Sequence, residues 1–258
     1  MNRQSILFSL LSFAFIFSSC LGDEGQRIGI GPQAAVLDLN GTPTMYIGGK
    51  EITNKINRVY ASKLESINGE TGDCYMIEFV LDFGADENQN VAENQYYTVE
   101  NLEATPVNKW GVAKVSKLDT VDTRKNEILL TTIQSRHDYI RDILFLYTTH
   151  AIPDSMMDKR VIDYEMSFLD IQEPTTNPPV YELFLRTTQR EKASSDNKLT
   201  TPDISAYNLT TFVNTFINQT PDDTLRFTIV YPKTFNQDTT AISSWSTSET
   251  FKLIKVQY

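Results

Sequence analysis

Few residues in this sequence could do chemistry, and their spacing excludes most of what they could do. Two cysteines, Cys20 and Cys74, and two histidines, His137 and His150, supply every thiol and imidazole of the 258 residues. The histidines have no metal-ligand spacing with each other or with Cys74. No HExxH, CxxC, P-loop, GxSxG or GxGxxG pattern occurs. GIGPQAAV, from Gly29, leads into no helix-forming stretch, so its glycines suit the entry to a strand better than a phosphate loop. Cys74 opens the apolar run of GDCYMIEF, after Asp73 and four residues before Glu78. Burial and neighbouring carboxylates both disfavour a thiolate, so an inert buried thiol is expected. The loop DFGADENQN offers oxygens from Asp82, Asp86, Glu87, Asn88 and Asn90, yet it departs from the D-x-[DN]-x-[DN]-G calcium pattern and reads as a solvated hairpin loop. A catalytic carboxylate pair cannot be chosen among 33 acids without their geometry. The pattern therefore assigns no catalytic residue, no metal ligand and no cofactor.

Cys20 stands apart. It follows an apolar run, Ile6–Phe17, interrupted only by Ser9 and Ser12, with Arg3 as the single charge before it. That run is too short to span a bilayer and has the length of a signal-peptide core. Two small residues, Ser18 and Ser19, directly precede Cys20. This is the arrangement of a bacterial lipoprotein signal, with residues 1–19 removed and the Cys20 thiol lipidated. Each buried methylene contributes roughly 0.8 kcal/mol, so two or three acyl chains give a lasting anchor. LGDEG follows, and residues 20–31 read as a flexible tether. The acidic pair Asp23 and Glu24 resembles the surface-export signal of Bacteroidota lipoproteins.

Charge narrows the partners. The whole chain carries 23 Lys+Arg against 33 Asp+Glu; removing Arg3 with the signal leaves 22 against 33, a net charge of −11. Such a surface has no electrostatic footprint for nucleic acid and is repelled by anionic lipid, which leaves membrane binding to the acyl chains. After lipidation Cys74 is the one remaining thiol, so no internal disulfide forms.

The elements that must position these residues are strands. Apolar runs alternate with Thr- and Asn-rich connections in two series. The first comprises Ala34–Asp38, Thr44–Ile47, Arg58–Ser62, Tyr75–Phe83, Tyr96–Val99 and Gly111–Val115. The second comprises Ile128–Ile133, Ile143–Tyr147, Val161–Phe168, Val180–Arg186, Leu225–Tyr231 and Phe251–Tyr258. The polar stretch KLDTVDTRKNE separates them, which gives a first domain at 32–117, a linker at 118–126 and a second domain at 127–258. Asp86–Asn94 and Thr187–Ser205 read as exposed loops. One segment has another period. Leu209, Phe212, Val213, Phe216 and Ile217 recur at i, i+3, i+4, i+7 and i+8, the stripe of a short helix with Asn208 as its N-cap; a strand pair turning at Asn214 is the alternative.

The order AAVLDLNGTPTMYI, YMIEFVLDF, NEILLTTIQSRHDYIRDILFLYTTH, PVYELFLRTTQ, AYNLTTF and TLRFTIVYP, behind a lipidation cysteine and an acidic tether, resembles the NigD-like lipoproteins of Bacteroidota. The resemblance implies an all-β fold, with an N-terminal OB-like β-barrel followed by an immunoglobulin-like β-sandwich carrying one short helix. It implies no enzymatic activity and no cofactor. The expected role is that of a non-enzymatic envelope lipoprotein in protein interaction or assembly. It would be anchored in the outer membrane through the lipid on Cys20 and displayed on the cell surface, with a periplasm-facing position as the alternative. Glycan binding is the competing role: Trp245 lies in the polar context ISSWSTS, where an exposed indole could stack on a sugar ring, whereas Trp110 precedes a strand and is expected to pack. Four Asp-(Ser/Thr)-(aliphatic/Thr) triplets, at Thr120, Ser155, Thr224 and Thr239, resemble the O-glycosylation signal of Bacteroidota envelope proteins.

Overall fold

The computed structural model describes residues 27–48, 56–150, 162–189 and 203–254, which are all-β apart from short helical turns. The first sheet contains β1 (Arg27–Asp38), β2 (Thr44–Ile47), β3 (Arg58–Tyr60), β4 (Cys74–Asp82), β5 (Tyr97–Thr98) and β6 (Glu100–Val107). β1 pairs antiparallel with β2 and β4, β2 with β3, and β4 with β6, while β3 and β5 are parallel. Only Val99 separates β5 from β6, and its N–H donates to Tyr60 O at 2.8 Å. Tyr97–Val107 therefore acts as one bent strand that closes the ring between β3 and β4, giving the five-stranded barrel of an OB domain. Leu37, Met45, Val59, Ile77, Leu81 and Leu102 fill it.

The second sheet has nine strands: β7 (Lys109–Val115), β8 (Leu130–Ile140), β9 (Ile143–His150), β10 (Ile162–Leu169), β11 (Val180–Gln189), β12 (Asp203–Asn208), β13 (Thr224–Phe235), β14 (Ile242–Thr247) and β15 (Phe251–Ile254). β7 changes partner along its length. Lys109–Gly111 pair parallel with β12, and Val112–Val115 pair parallel with β10. Two limbs thus diverge from β7, one running through β12, β9 and β8, the other through β10, β11 and β13. They curl around a single core, and these two limbs are the layers expected of a sandwich. The short helix α1 (Val91–Asn94) packs on the barrel core, and a second short helix, α2 (Thr210–Phe216), closes the core of the second body. Leu209, Phe212 and Phe216 of the α2 region are buried, and Phe212 meets Phe168, Phe216 and Phe227 edge-on at 5.2, 5.3 and 5.5 Å. Asn208 Oδ1 accepts the Thr210 N–H at 3.0 Å, one residue ahead of the formal cap position at Leu209.

Strand parity joins the two bodies. In β1, Ala35 and Leu37 face the barrel core, while Ala34 and Val36 point the other way. In β9, Leu144 and Leu146 face the second core, while Ile143 and Phe145 meet Ala34, Val36 and Cys74 in a third apolar cluster between the bodies. Gly48 is pressed there so closely that an added Cβ would lie 2.8 Å from Asp138 Cβ.

Several boundaries differ from the sequence expectation. β1 begins at Arg27, inside the segment 20–31 expected as tether, because Ile28 and Ile30 alternate with Gly29 and Gly31 and pack against the barrel core. The chain crosses between sheets at Asn108, ahead of the expected linker at 118–126. That polar stretch lies along the second sheet, with Val121 O accepting the Ile242 N–H at 2.8 Å and Thr240 O accepting the Thr123 N–H at 3.1 Å. Thr187 and Ser205, expected in an exposed loop, are 1% and 2% exposed as parts of β11 and β12.

Replacing Phe212 by Ala removes a wholly enclosed ring and should lower the unfolding free energy by about 3–5 kcal/mol. Urea denaturation measures this, and a loss under about 1 kcal/mol would be incompatible with the packing of α2.

Candidate functional site

The outer face of the barrel is the first place to look, because OB domains bind oligomers across strands 2 and 3. Here that face is turned inward. Tyr46 of β2 lies between two guanidinium groups, Arg58 from β3 at 4.8 Å and Arg141 from the β8–β9 turn at 4.5 Å from its ring. Both arginines also approach Asp38, with Arg141 Nη1 at 3.1 Å and Arg58 Nη2 at 3.6 Å from Oδ2. Burial works to raise the Asp38 pKa, but the Asn40 backbone and side-chain N–H groups and the two arginines outweigh it and hold the carboxyl below its usual range. One carboxylate and one phenol ring thereby join barrel to second body.

A second buried charge pins residues 119–127. Arg186 of β11, 5% exposed, donates to Glu127 Oε1 and Oε2 at 2.7 and 2.5 Å and to the carbonyls of Asp119 and Asp122 at 3.0 and 2.7 Å. The Glu127 side chain is 1% exposed, so this ion pair is fully enclosed. Each guanidinium nitrogen and each carboxylate oxygen has a partner, which is the condition under which a buried pair is tolerated.

The outer surface of the second body carries a half-open groove of about 390 Å³, lined among others by Ile171, Gln172, Val180, Glu182, Phe184 and Thr228. Trp245, in β14, lies edge-on to Phe184 with ring centroids 6.0 Å apart. Its indole N–H donates to Thr120 O at 3.2 Å, and the side chain is half-buried rather than freely exposed. Thr120 and Thr239 are exposed and lie on neighbouring loops, since Thr123 Oγ1 donates to Thr239 O at 2.6 Å. Thr224 is half-buried at the start of β13, its hydroxyl donating to Asp222 O at 3.1 Å. Cys20, Asp23, Glu24 and Ser155 lie outside the described residues.

Inside the second body is a polar cluster that no sequence motif marked. Tyr164 of β10 donates its O–H to Asp203 Oδ2 of β12, and its oxygen lies 2.6 Å from His150 Nε2 and 3.3 Å from Thr148 Oγ1, both of β9. Burial pushes the His150 pKa down to about 4 and raises that of Asp203, the latter against hydrogen bonds from Tyr164 and the Ile204 N–H. The signal was parity: Thr148 and His150 end one strand on its core face, and Asp203, Ser205 and Tyr207 begin another.

The remaining candidates are structural. Cys74 is buried between the bodies, and burial, reinforced by Asp73 and opposed by Lys109, pushes its thiol up to about 12. Asn88, one of the calcium-loop oxygens, instead clamps backbone: its amide donates to Asp82 O and Thr98 O, and Oδ1 accepts the Thr98 N–H at 2.8 Å. Among the described residues no group of three or more His, Cys, Asp or Glu side chains could hold a metal, and no helix is long and apolar enough to cross a membrane.

Comparison with known proteins agrees with this architecture. Residues 33–105 match the family described as a lipoprotein OB domain. A crystal structure of an uncharacterised protein from Parabacteroides merdae ATCC 43184 is similar at 23% identity and a TM-score of 0.70, covering 86% of this chain and 98% of its own. A protein of Bacteroides fragilis NCTC 9343, described provisionally as a lipoprotein, is similar at 9% identity and a TM-score of 0.50, covering 88% and 97%. No curated protein matches the sequence. The second body thus shares its fold with solved structures, and the barrel is similar to a domain of lipoproteins.

The Asp38 clamp has a pH signature. Its folded pKa lies below the unfolded value of about 3.9, so its stabilisation is fully present above that value and disappears as pH falls through the folded pKa. The Tm difference between wild type and Asp38→Asn should be constant above about pH 5 and shrink below about pH 4. A difference that does not change with pH would show that the carboxylate charge is not what holds Arg58 and Arg141. At the other pair, Glu127→Gln strands the enclosed guanidinium and should cost about 3–5 kcal/mol in chemical denaturation.

Proposed function

We propose that the protein is a non-enzymatic, NigD-like lipoprotein of the cell envelope, anchored in the outer membrane through Cys20, displayed on the surface by Asp23 and Glu24, and acting through contact with another protein. The carrying observation is the orientation of the barrel. Its β1–β2–β4 face packs on the second body through Ala34, Val36, Tyr46, Cys74 and Met76, so β2, one of the two strands that serve ligands in other OB domains, serves an internal joint here. The barrel, entered at Arg27 a few residues after the lipidation cysteine, acts as a pedestal. The second body then presents its outer surface, including Ile171 at 78% exposure, to a partner. The non-enzymatic assignment is supported at Cys74, where burial keeps the thiol protonated at physiological pH.

Glycan binding is the second role, favoured by one observation: Phe184 and the half-buried Trp245 stand edge-on beside the groove. A net charge of −10 for the full chain argues against nucleic acid in either role.

Detergent phase partitioning tests the anchor. The native lipoprotein should enter the detergent phase, and a chain beginning at Leu21 should remain in water; partitioning of the latter into detergent would remove the role of Cys20. Protease shaving of intact cells, before and after replacing Asp23 and Glu24 with Ala, separates surface from periplasmic display. A photo-crosslinker at Ile171 should yield a discrete protein adduct in cells, absent when it is placed at Glu78 of the barrel. Retention in a polysaccharide affinity gel that Trp245→Ala abolishes would instead establish glycan binding.

A further inference from the structure

An asparagine precedes a glycine at two places in the chain, Asn40-Gly41 and Asn68-Gly69. Such a pair carries a reaction of its own. The backbone nitrogen of the glycine can attack the side-chain amide carbon of the asparagine, since glycine has no Cβ to hinder the approach. The rate depends on how freely the two residues can turn, and the fold treats the two pairs differently.

Asn40 and Gly41 are exposed in the connection between β1 and β2, where Gly41 has φ +83°. A Cβ built on Gly41 would meet nothing within 4 Å, so the backbone there has room to rotate. Gly69 is walled in. A Cβ built there would lie 2.6 Å from Tyr75 Oη, 3.1 Å from Leu37 Cδ2 and 3.2 Å from Asp73 Oδ2. The peptide after it is held too: the Glu70 N–H donates to Asp73 Oδ2 at 2.8 Å, and the Asp73 N–H donates to Glu70 O at 3.0 Å. Reaction at Asn40 gives up one side-chain hydrogen bond, from Nδ2 to Asp38, whereas reaction at Asn68 must displace packed neighbours.

Position gives Asn40 a consequence. Its backbone N–H and its Nδ2–H both donate to Asp38 Oδ1, at 3.0 and 2.9 Å. Asp38 is the carboxylate that links Arg58 of the barrel to Arg141 of the second body.

We propose that Asn40 is a self-modification site, converted to aspartate or isoaspartate through attack by the Gly41 nitrogen, and that the product weakens the Asp38 joint between the two bodies. In the first step the bond from Gly41 N to Asn40 Cγ forms and the Cγ–Nδ2 bond breaks. The proton lost from Gly41 N goes to the departing nitrogen, which is released as ammonia. One water molecule then opens the cyclic imide. Cleavage at Cγ gives aspartate, and cleavage at the backbone carbonyl gives isoaspartate with the main chain rerouted through Cγ. Either product removes the Nδ2 donor and adds a negative charge beside Asp38, where like charge disfavours the ionised carboxylate.

Peptide mapping by mass spectrometry, after incubation of the full mature chain at mildly alkaline pH, tests the site. Asn40 should convert about tenfold faster than Asn68 in the folded chain, a barrier difference of about 1.4 kcal/mol, and the two rates should converge in urea. Equal rates in the folded chain, no conversion at Asn40, or a ratio that persists in urea would overturn it. The consequence is read separately. Asn40→Asp should lower Tm by roughly 2–4 °C, the effect of about one net hydrogen bond in a protein of this size. That fall should vanish in an Asp38→Asn background. An unchanged Tm, or a fall that persists without the Asp38 carboxylate, would overturn the link to the joint.

Discussion

The structure depends on the continuity of β6 and β7. The strand that closes the barrel ends at Val107, Asn108 follows, and Lys109 already begins the strand from which both limbs of the second sheet diverge. A single extended run therefore belongs to two hydrogen-bonded systems. Neither sheet can move far from the other without breaking ladder bonds at the centre of one or the closing seam of the other. The apolar cluster between the bodies follows from this proximity. Strands β1 and β9 are covered on both faces, which is why AAVLD and ILFLY read as continuous apolar runs and not as alternating ones.

Within that frame, buried polar groups fix where the connections lie. Arg186 and Glu127 are enclosed together, and the guanidinium also takes two carbonyls from residues 119–122. Such a pair contributes little net stability relative to an apolar replacement, but removing one member leaves the other uncompensated. Its effect is positional: it lays a polar segment along the sheet where a free linker would otherwise run. Asp38 acts similarly between the bodies, accepting from Arg141 of the second sheet and ion-pairing with Arg58 of the barrel, while Asn88 ties a loop to two strand ends. These clusters are satisfied by the chain itself.

The barrel shows how a fold associated with ligand binding can be turned to another use. Its second strand presents Tyr46 to two arginines, one of them from the other body, so the aromatic and cationic groups that could engage an external oligomer engage each other. The groove bordered by Ile171 and Phe184 lies on the second body, outside that joint.

The sequence by itself determined the all-β character and the helix of the second body, because these rest on local periodicity: RFTIVYP alternates, and of the helical stripe Leu209, Phe212, Phe216 and Ile217 are buried and Val213 half-buried. It also marked Cys74 as buried and inert, since an apolar neighbourhood and adjacent acids act on a thiol wherever the strand goes. Glycine concealed the start of β1, because Gly29 and Gly31 have no side chains to show the outward half of the alternation. Only the tertiary structure decided the crossing at Asn108, the enclosure of Arg186 and the half-burial of Trp245, since each depends on partners 59 or more residues away. The Tyr164 cluster is the clearest case. Its members come from β7, β9, β10 and β12, and no window of sequence contains them together. Periodicity records which face of a strand a residue takes, whereas a site requires knowing which strands become neighbours, and that is set by long-range pairing.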